Sequence, residues 1–351
     1  MNAQTQTQPP LDTLSGAGAP ETLDGVWPFD IRAWPAMAEP VYRTMPRDAR
    51  FALGRIYRDK AKGGGHLTPA EHLLYALLKG KNPFLAFSPV KTPRRLGAGE
   101  LAWGSFMAAA HAAGKHLDAL AAAGQLDGVL HHQLRQLLLM ARLRALGMTI
   151  HALPASYRTR KEALLMTAMA EAPQGQGSVK KHCDDTYGAY CDIVRYLTQG
   201  VRPALPVPQW LEACREPLRV VAMTHQRVMR DYLTMHDCGK PFSLRFDEKG
   251  RPHYPAHAAL SARVWLETGG TAQVASLIAQ DMDLHTLKAE DTAEFAARPA
   301  APLLLLSGLA SLHANAADFG GAQSDSFKIK LKRLTSRGTR IAETCFKSAT
   351  A

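Results

Sequence analysis

The chain has few of the residues that build sheets. Its 351 residues include 13 valines and 7 isoleucines, and aromatics make up 7%. Pleated strands favour β-branched and aromatic side chains, so a large β-sheet is excluded. Cysteine is scarce as well: there are five, and none forms a CxxC pair, which excludes a zinc ribbon. Long apolar runs are missing. The longest charge-free stretch, between Arg298 and Asp318, contains Pro302, Ser307, Gly308, His313 and Asn315. A membrane span needs about 20 dominantly apolar residues, so this stretch reads as a buried helix. The start, MNAQTQTQPPLDTLSGAGAP, is polar, and the first basic residue is Arg32. No export signal is therefore expected, and free thiols in the cytoplasm follow.

What the chain does have is alanine (56) and leucine (44). Both are strong helix formers, so the fold is expected to be all-α. Acidic residues number 31 against 42 basic ones, leaving a net charge of +11. That excess favours an anionic partner such as a nucleotide or nucleic acid.

The first 25 residues or so read as a disordered tail. A basic helical domain is expected over 26–171. Within it, Thr68-Pro69-Ala70-Glu71 has an N-cap Thr, a Pro at the first helical position and a Glu three residues after the cap. KNPFLAFSPVKTPRRLGAGE is a Pro/Gly-rich loop with Lys91, Arg94 and Arg95. Helices are expected near 101–116 and 128–146. APQGQGS at 172–178 reads as a linker. The second domain, 179–345, is expected to hold helices over 182–197, 216–235, 257–267, 272–287, 303–316 and 325–343. A small β-ribbon is expected near 243–256, where Asp247-Glu248-Lys249-Gly250 is good turn chemistry.

His236-Asp237 places an imidazole beside a carboxylate, and Gly239 and Pro241 would end the helix just after them. Such a pair offers one nitrogen and one oxygen to a divalent cation. N/O donors suit Mn, Fe, Zn, Co or Mg, as one ion or two. Around this pair lie His182, HDCGKP at 236–241, YPAH at 254–257, Ser261-Ala262 and QDMDLH at 280–285. Over about residues 178–295 this pattern resembles the HD-domain superfamily of metal-dependent phosphohydrolases. It is most similar to the HD domains attached to bacterial tRNA nucleotidyltransferases. The nucleotidyltransferase head itself has no counterpart here.

The resemblance implies that His182, His236, Asp237 and Asp281 are metal ligands. It makes His257 and His285 candidates for a second metal or for phosphate contact. Lys240 would neutralise a substrate phosphate, and Asp185 or Asp283 would transfer a proton or orient water. The activity implied is hydrolysis of a phosphoester by metal-activated water. The alternative is a catalytically weak HD module that binds nucleotide or nucleic acid as a regulator or adaptor.

His225 is the rival for first ligand. On one continuous helix, however, its 11-residue separation from His236 amounts to about 16 Å along the axis. Ligands of one ion cannot stand that far apart, so His182 is preferred. Asp281 and His285, four apart, would share a helix face. In SDSFKIKLKRLTSRGTR, the apolar stripe Phe327, Leu331 and Leu334 is expected to pack inward. Lys328, Lys332 and Arg333 are then candidate phosphate contacts.

Overall fold

The computed structural model describes residues 33–87 and 103–347. The expected tail and the Lys91/Arg94/Arg95 loop lie outside the described residues. The protein is 73% helical, and among the described residues there are two sheets of two strands each. The all-α expectation therefore holds. The described residues form two compact units, one of 33–87 and 103–172 with 240–256, the other of 173–239 with 257–347.

The first unit contains α1 (Trp34–Thr44), α2 (Arg47–Lys62), α3 (Pro69–Leu78), α4 (Trp103–Ala122), α5 (Gly128–Ala152) and α6 (Arg158–Glu171). Thr68 opens α3 as read: its Oγ1 accepts from Glu71 N at 3.2 Å, and Thr68 N donates to the Glu71 carboxylate at 2.8 Å. Helix α5 is the core of this unit. Its leucines 130, 134, 137, 138, 143 and 146 are all buried, and α4, α6 and α1 pack on it.

The second unit begins with a hairpin, β1 (Pro173–Gln174) and β2 (Gly177–Ser178), in the stretch read as a linker. Gly175, at φ +54, makes its tight turn. Ser178 caps α7 (Val179–Gln199) by accepting from Lys181 N at 3.2 Å. Next come α8 (Gln209–Ala213), α9 (Arg215–Thr224) and α10 (Gln226–Met235). The single helix expected over 216–235 is thus two, broken at His225, where φ is −109° and ψ 22°.

Residues 240–256 were expected in the second domain. They group with the first unit instead, as α11 (Lys240–Ser243) and the antiparallel pair β3 (Arg245–Phe246) and β4 (Pro252–His253). The anticipated β-ribbon is therefore present, and α11 packs on α5 and α6.

The second unit resumes with α12 (His257–Glu267), α13 (Ala272–Ala279), α14 (Asp283–Thr286), α15 (Thr292–Ala296), α16 (Ala301–Ala314) and α17 (Asp325–Lys347). Helix α16 carries leucine and alanine on every side, as a largely buried helix must. It packs against α7, α17, α14 and α9. Among the described residues, no helix is long and apolar enough to cross a membrane. Ser324 Oγ caps α17 by accepting from Phe327 N at 3.1 Å. Phe327 is fully buried, with Leu331 and Leu334 packed beside its cluster.

Candidate metal centre

Helix packing brings together residues far apart in sequence. His182 stands in the first turn of α7, on the buried stripe it shares with Val179, Thr186 and Ile193. His236 caps the C-terminus of α10, and Asp237 follows it. Because α10 packs directly on α7, the 54-position separation of the two histidines is bridged in one contact. His236 Nε2 is 3.4 Å from His182 Nε2. Asp237 Oδ2 is 3.4 Å from His236 Nε2 and 3.6 Å from His182 Nε2. The three donor atoms form a nearly equilateral triangle.

That triangle has the dimensions of a coordination face. Three donors about 2.1 Å from one ion at tetrahedral angles stand about 3.4 Å apart. The triangle is also buried: His236 is 3% exposed and Asp237 2%. A carboxylate so deep needs positive charge nearby.

Hydrogen bonds orient the donors. The carbonyl of Leu233 can only accept, so His236 Nδ1 must donate to it, at 2.9 Å. That leaves the Nε2 lone pair directed into the triangle. Gln174 Nε2 donates to Asp237 Oδ2 at 3.4 Å. His257, at the start of α12, sets its Nε2 3.6 Å from Asp237 Oδ1, on the carboxylate's other side.

Gly239 and Ser261 fix that approach. Gly239 N donates to Ser261 Oγ at 2.8 Å, and Cys238 Sγ donates to Ser261 O at 3.3 Å. A Cβ on residue 239 would lie 2.4 Å from Ser261 N. Glycine is what lets the two backbones touch.

Burial works against protonating His236. The Cys183 sulfur, 3.7 Å from Nδ1, and the carboxylates of Asp237 and Asp281 outweigh it. The imidazole pKa is held well above its ordinary value. The pocket is thus one that favours a positive charge at its centre. Burial, with the charges of Cys183 and Asp237 beside it, pushes the Cys238 thiol pKa up, which makes it a poor ligand.

Several expectations need correction. Asp281 and His285 do not share a helix. The helix expected over 272–287 stops at Ala279, and Asp281 sits in the turn before α14. Asp281 Oδ1 accepts from the buried Tyr232 hydroxyl at 2.5 Å, and Ser307 Oγ donates to that hydroxyl at 3.0 Å. Tyr232 lies one helical turn before His236, so Asp281 is held beside the triangle rather than in it. Enclosure by the surrounding protein pushes the His285 pKa down, and the charges of His236, Lys330 and Arg337 add to it.

Asp283 was expected to transfer protons. It accepts instead from Arg298 at 2.5 Å in an ion pair. Lys240 opens the segment that groups with the other unit, and its ammonium lies 5.6 Å from the Tyr254 ring. Asp185 pairs with Lys181 one turn earlier on α7. Lys328, Lys332 and Arg333 are exposed along α17. The α17 cations whose charge acts on His285 are Lys330 and Arg337. Arg337 Nη1 donates to the carbonyls of Leu284 and His285 at 3.1 and 3.3 Å.

His225, the rival first ligand, sits at the helix break, where burial lowers its pKa. The reading from sequence missed Gln174, Tyr232 and Ser307. One signal could have found Tyr232: it stands at i−4 from His236 on a helix. Comparison of the chain with known protein families, with curated proteins and with solved structures finds no match in any of the three.

Proposed function

We propose that this chain is an HD-type, metal-dependent phosphohydrolase acting on a phosphoester of a nucleotide or nucleic acid. The observation that carries the reading is the buried triangle of His182 Nε2, His236 Nε2 and Asp237 Oδ2, with edges of 3.4 to 3.6 Å. Those three residues would hold the ion, with Asp281 beside them. When bound, a divalent cation polarises a phosphoryl oxygen and lowers the pKa of water.

The chain's own groups have distinct roles. The Leu233 carbonyl fixes the His236 tautomer, and Gln174 holds the Asp237 carboxylate in place. Tyr232 positions Asp281 by donating to it. His257 can hold or release a proton at Nε2, within reach of Asp237 Oδ1. Lys330 and Arg337 bring positive charge to the His285 side, where a phosphate would otherwise be repelled by the carboxylates. The overall +11 charge supports an anionic substrate.

The engagement of Asp283 by Arg298 favours a second reading, in which metal and nucleotide bind with little turnover. A hydrolysis screen separates the two. Nucleotides, cyclic dinucleotides, 2′,3′-cyclic phosphates and labelled DNA and RNA are offered with Mn, Fe, Zn, Co or Mg. The phosphohydrolase reading expects turnover of at least one class, lost in Asp237→Ala. Activity that survives Asp237→Ala would refute the site.

A further inference from the structure

Helix α2 of the first unit has no part in the metal centre. Its sixteen residues, RDARFALGRIYRDKAK, hold six cations and two carboxylates. Leu53, Gly54 and Tyr57 form the buried face. Arg47, Phe51, Arg55, Arg58 and Lys62 follow one another at three- and four-residue steps, so they form one stripe, and all five are exposed. The stripe runs about 22 Å at the helical rise.

Phe51, near its middle, is 52% exposed, and the Arg47 guanidinium lies 5.6 Å from its ring. A groove of about 780 Å³ adjoins the stripe, lined by Arg50, Phe51, Arg55, Arg58, Leu78 and Lys79. The acidic residue in that lining is Asp48. Arg58 also meets its neighbour Asp59 at 3.2 Å, an exposed pair that water and salt readily exchange.

Cations spaced along a groove suit a chain of phosphates. An open aromatic ring among them suits a base. We propose that this face binds single-stranded nucleic acid, with phosphates on Arg47, Arg55, Arg58, Lys62 and Lys79 and a base stacked on Phe51. A duplex hides its base faces and would leave the ring unused. An acidic peptide would engage the cations and likewise leave the ring idle.

The test is fluorescence anisotropy of labelled oligo-dT and oligo-U with the full chain, in EDTA. Chelation removes any dependence on the metal centre, so failure here and failure of the hydrolase reading are distinguishable. Five phosphate contacts predict a log–log salt slope of about −3.5 for a single strand, a loss of about 100-fold between 50 and 200 mM salt. Arg55→Glu with Arg58→Glu should abolish binding. Phe51→Ala should weaken it about 5- to 150-fold at unchanged melting temperature, since the ring is exposed.

No binding at 50 mM salt would overturn the proposal. So would equal competition by polyglutamate, or duplex binding as tight as single-strand binding with Phe51→Ala silent.

Discussion

Replacing Gly239 by alanine should damage the second unit more than its size suggests. The added Cβ would stand 2.4 Å from Ser261 N and 2.8 Å from Leu260 C and Ser261 Cα. Ordinary contact lies near 3.5–4.0 Å, so the neighbour must retreat by about 1 Å. The neighbour is backbone inside α12 and cannot rotate aside. Overpacking of this kind costs about 1–3 kcal/mol. The retreat also stretches the 2.8 Å bond from Gly239 N to Ser261 Oγ. Losing a buried hydrogen bond adds about 1 kcal/mol, for a total of about 2–4 kcal/mol. Because α12 begins at His257, the 3.6 Å approach of His257 to Asp237 should lengthen too. Gly188→Ala is the control. It lies inside α7, and its added Cβ meets nothing within 4 Å. That change should stabilise by about 0.5–1 kcal/mol, the helix-propensity gain. Urea denaturation of both variants reads the difference. The reasoning fails if Gly239→Ala is as stable as the parent, or if Gly188→Ala is equally damaging.

Tyr232→Phe removes the donor to Asp281 and strands the buried Ser307 hydroxyl, so stability should fall by about 1–3 kcal/mol in denaturant titration. Asp281→Asn should weaken cation uptake in equilibrium dialysis, whereas Asp283→Asn should leave it unchanged because Asp283 faces Arg298. Lys60 holds the Glu71 pKa down to about 2 from 4.5. A carboxyl depressed on folding stabilises above its unfolded pKa and loses that contribution as pH falls through the folded value. Melting curves of the parent and Glu71→Gln should therefore differ at neutral pH and converge between pH 4.5 and about 2. A gap that stays constant down to pH 2 would count against the ion pair.

Legibility from sequence followed locality. The α3 capping box spans four residues, and both of its hydrogen bonds are present. His236 and Asp237 are neighbours in the chain, and their position at the end of α10 was readable from Gly239 and Pro241. Helix type was readable throughout from the alanine and leucine excess. Breaks inside helices were not. The apolar period carries on past His225 and Gln280, yet both helices stop there, because packing on other helices overrides propensity. Asp281 was expected among the ligands but is held beside them, by a Tyr232 that comes from 49 residues away. Gln174 was lost in a Pro/Gly-rich stretch that reads as a linker, although it turns as a hairpin and reaches Asp237. The Lys330 and Arg337 faces of α17 could be told from those of Lys328, Lys332 and Arg333 only once α14 was seen against Arg337.

The proposed site has His182, His236 and Asp237 holding one divalent cation together. Elemental analysis of the purified chain beside His182→Ala and Asp237→Ala, each confirmed folded by circular dichroism, decides whether they do. Bound Mn, Fe, Zn, Co or Mg is expected in the parent, with its loss in both variants. A parent that takes up none of these ions, or an Asp237→Ala variant that keeps its full content, would rule the shared site out.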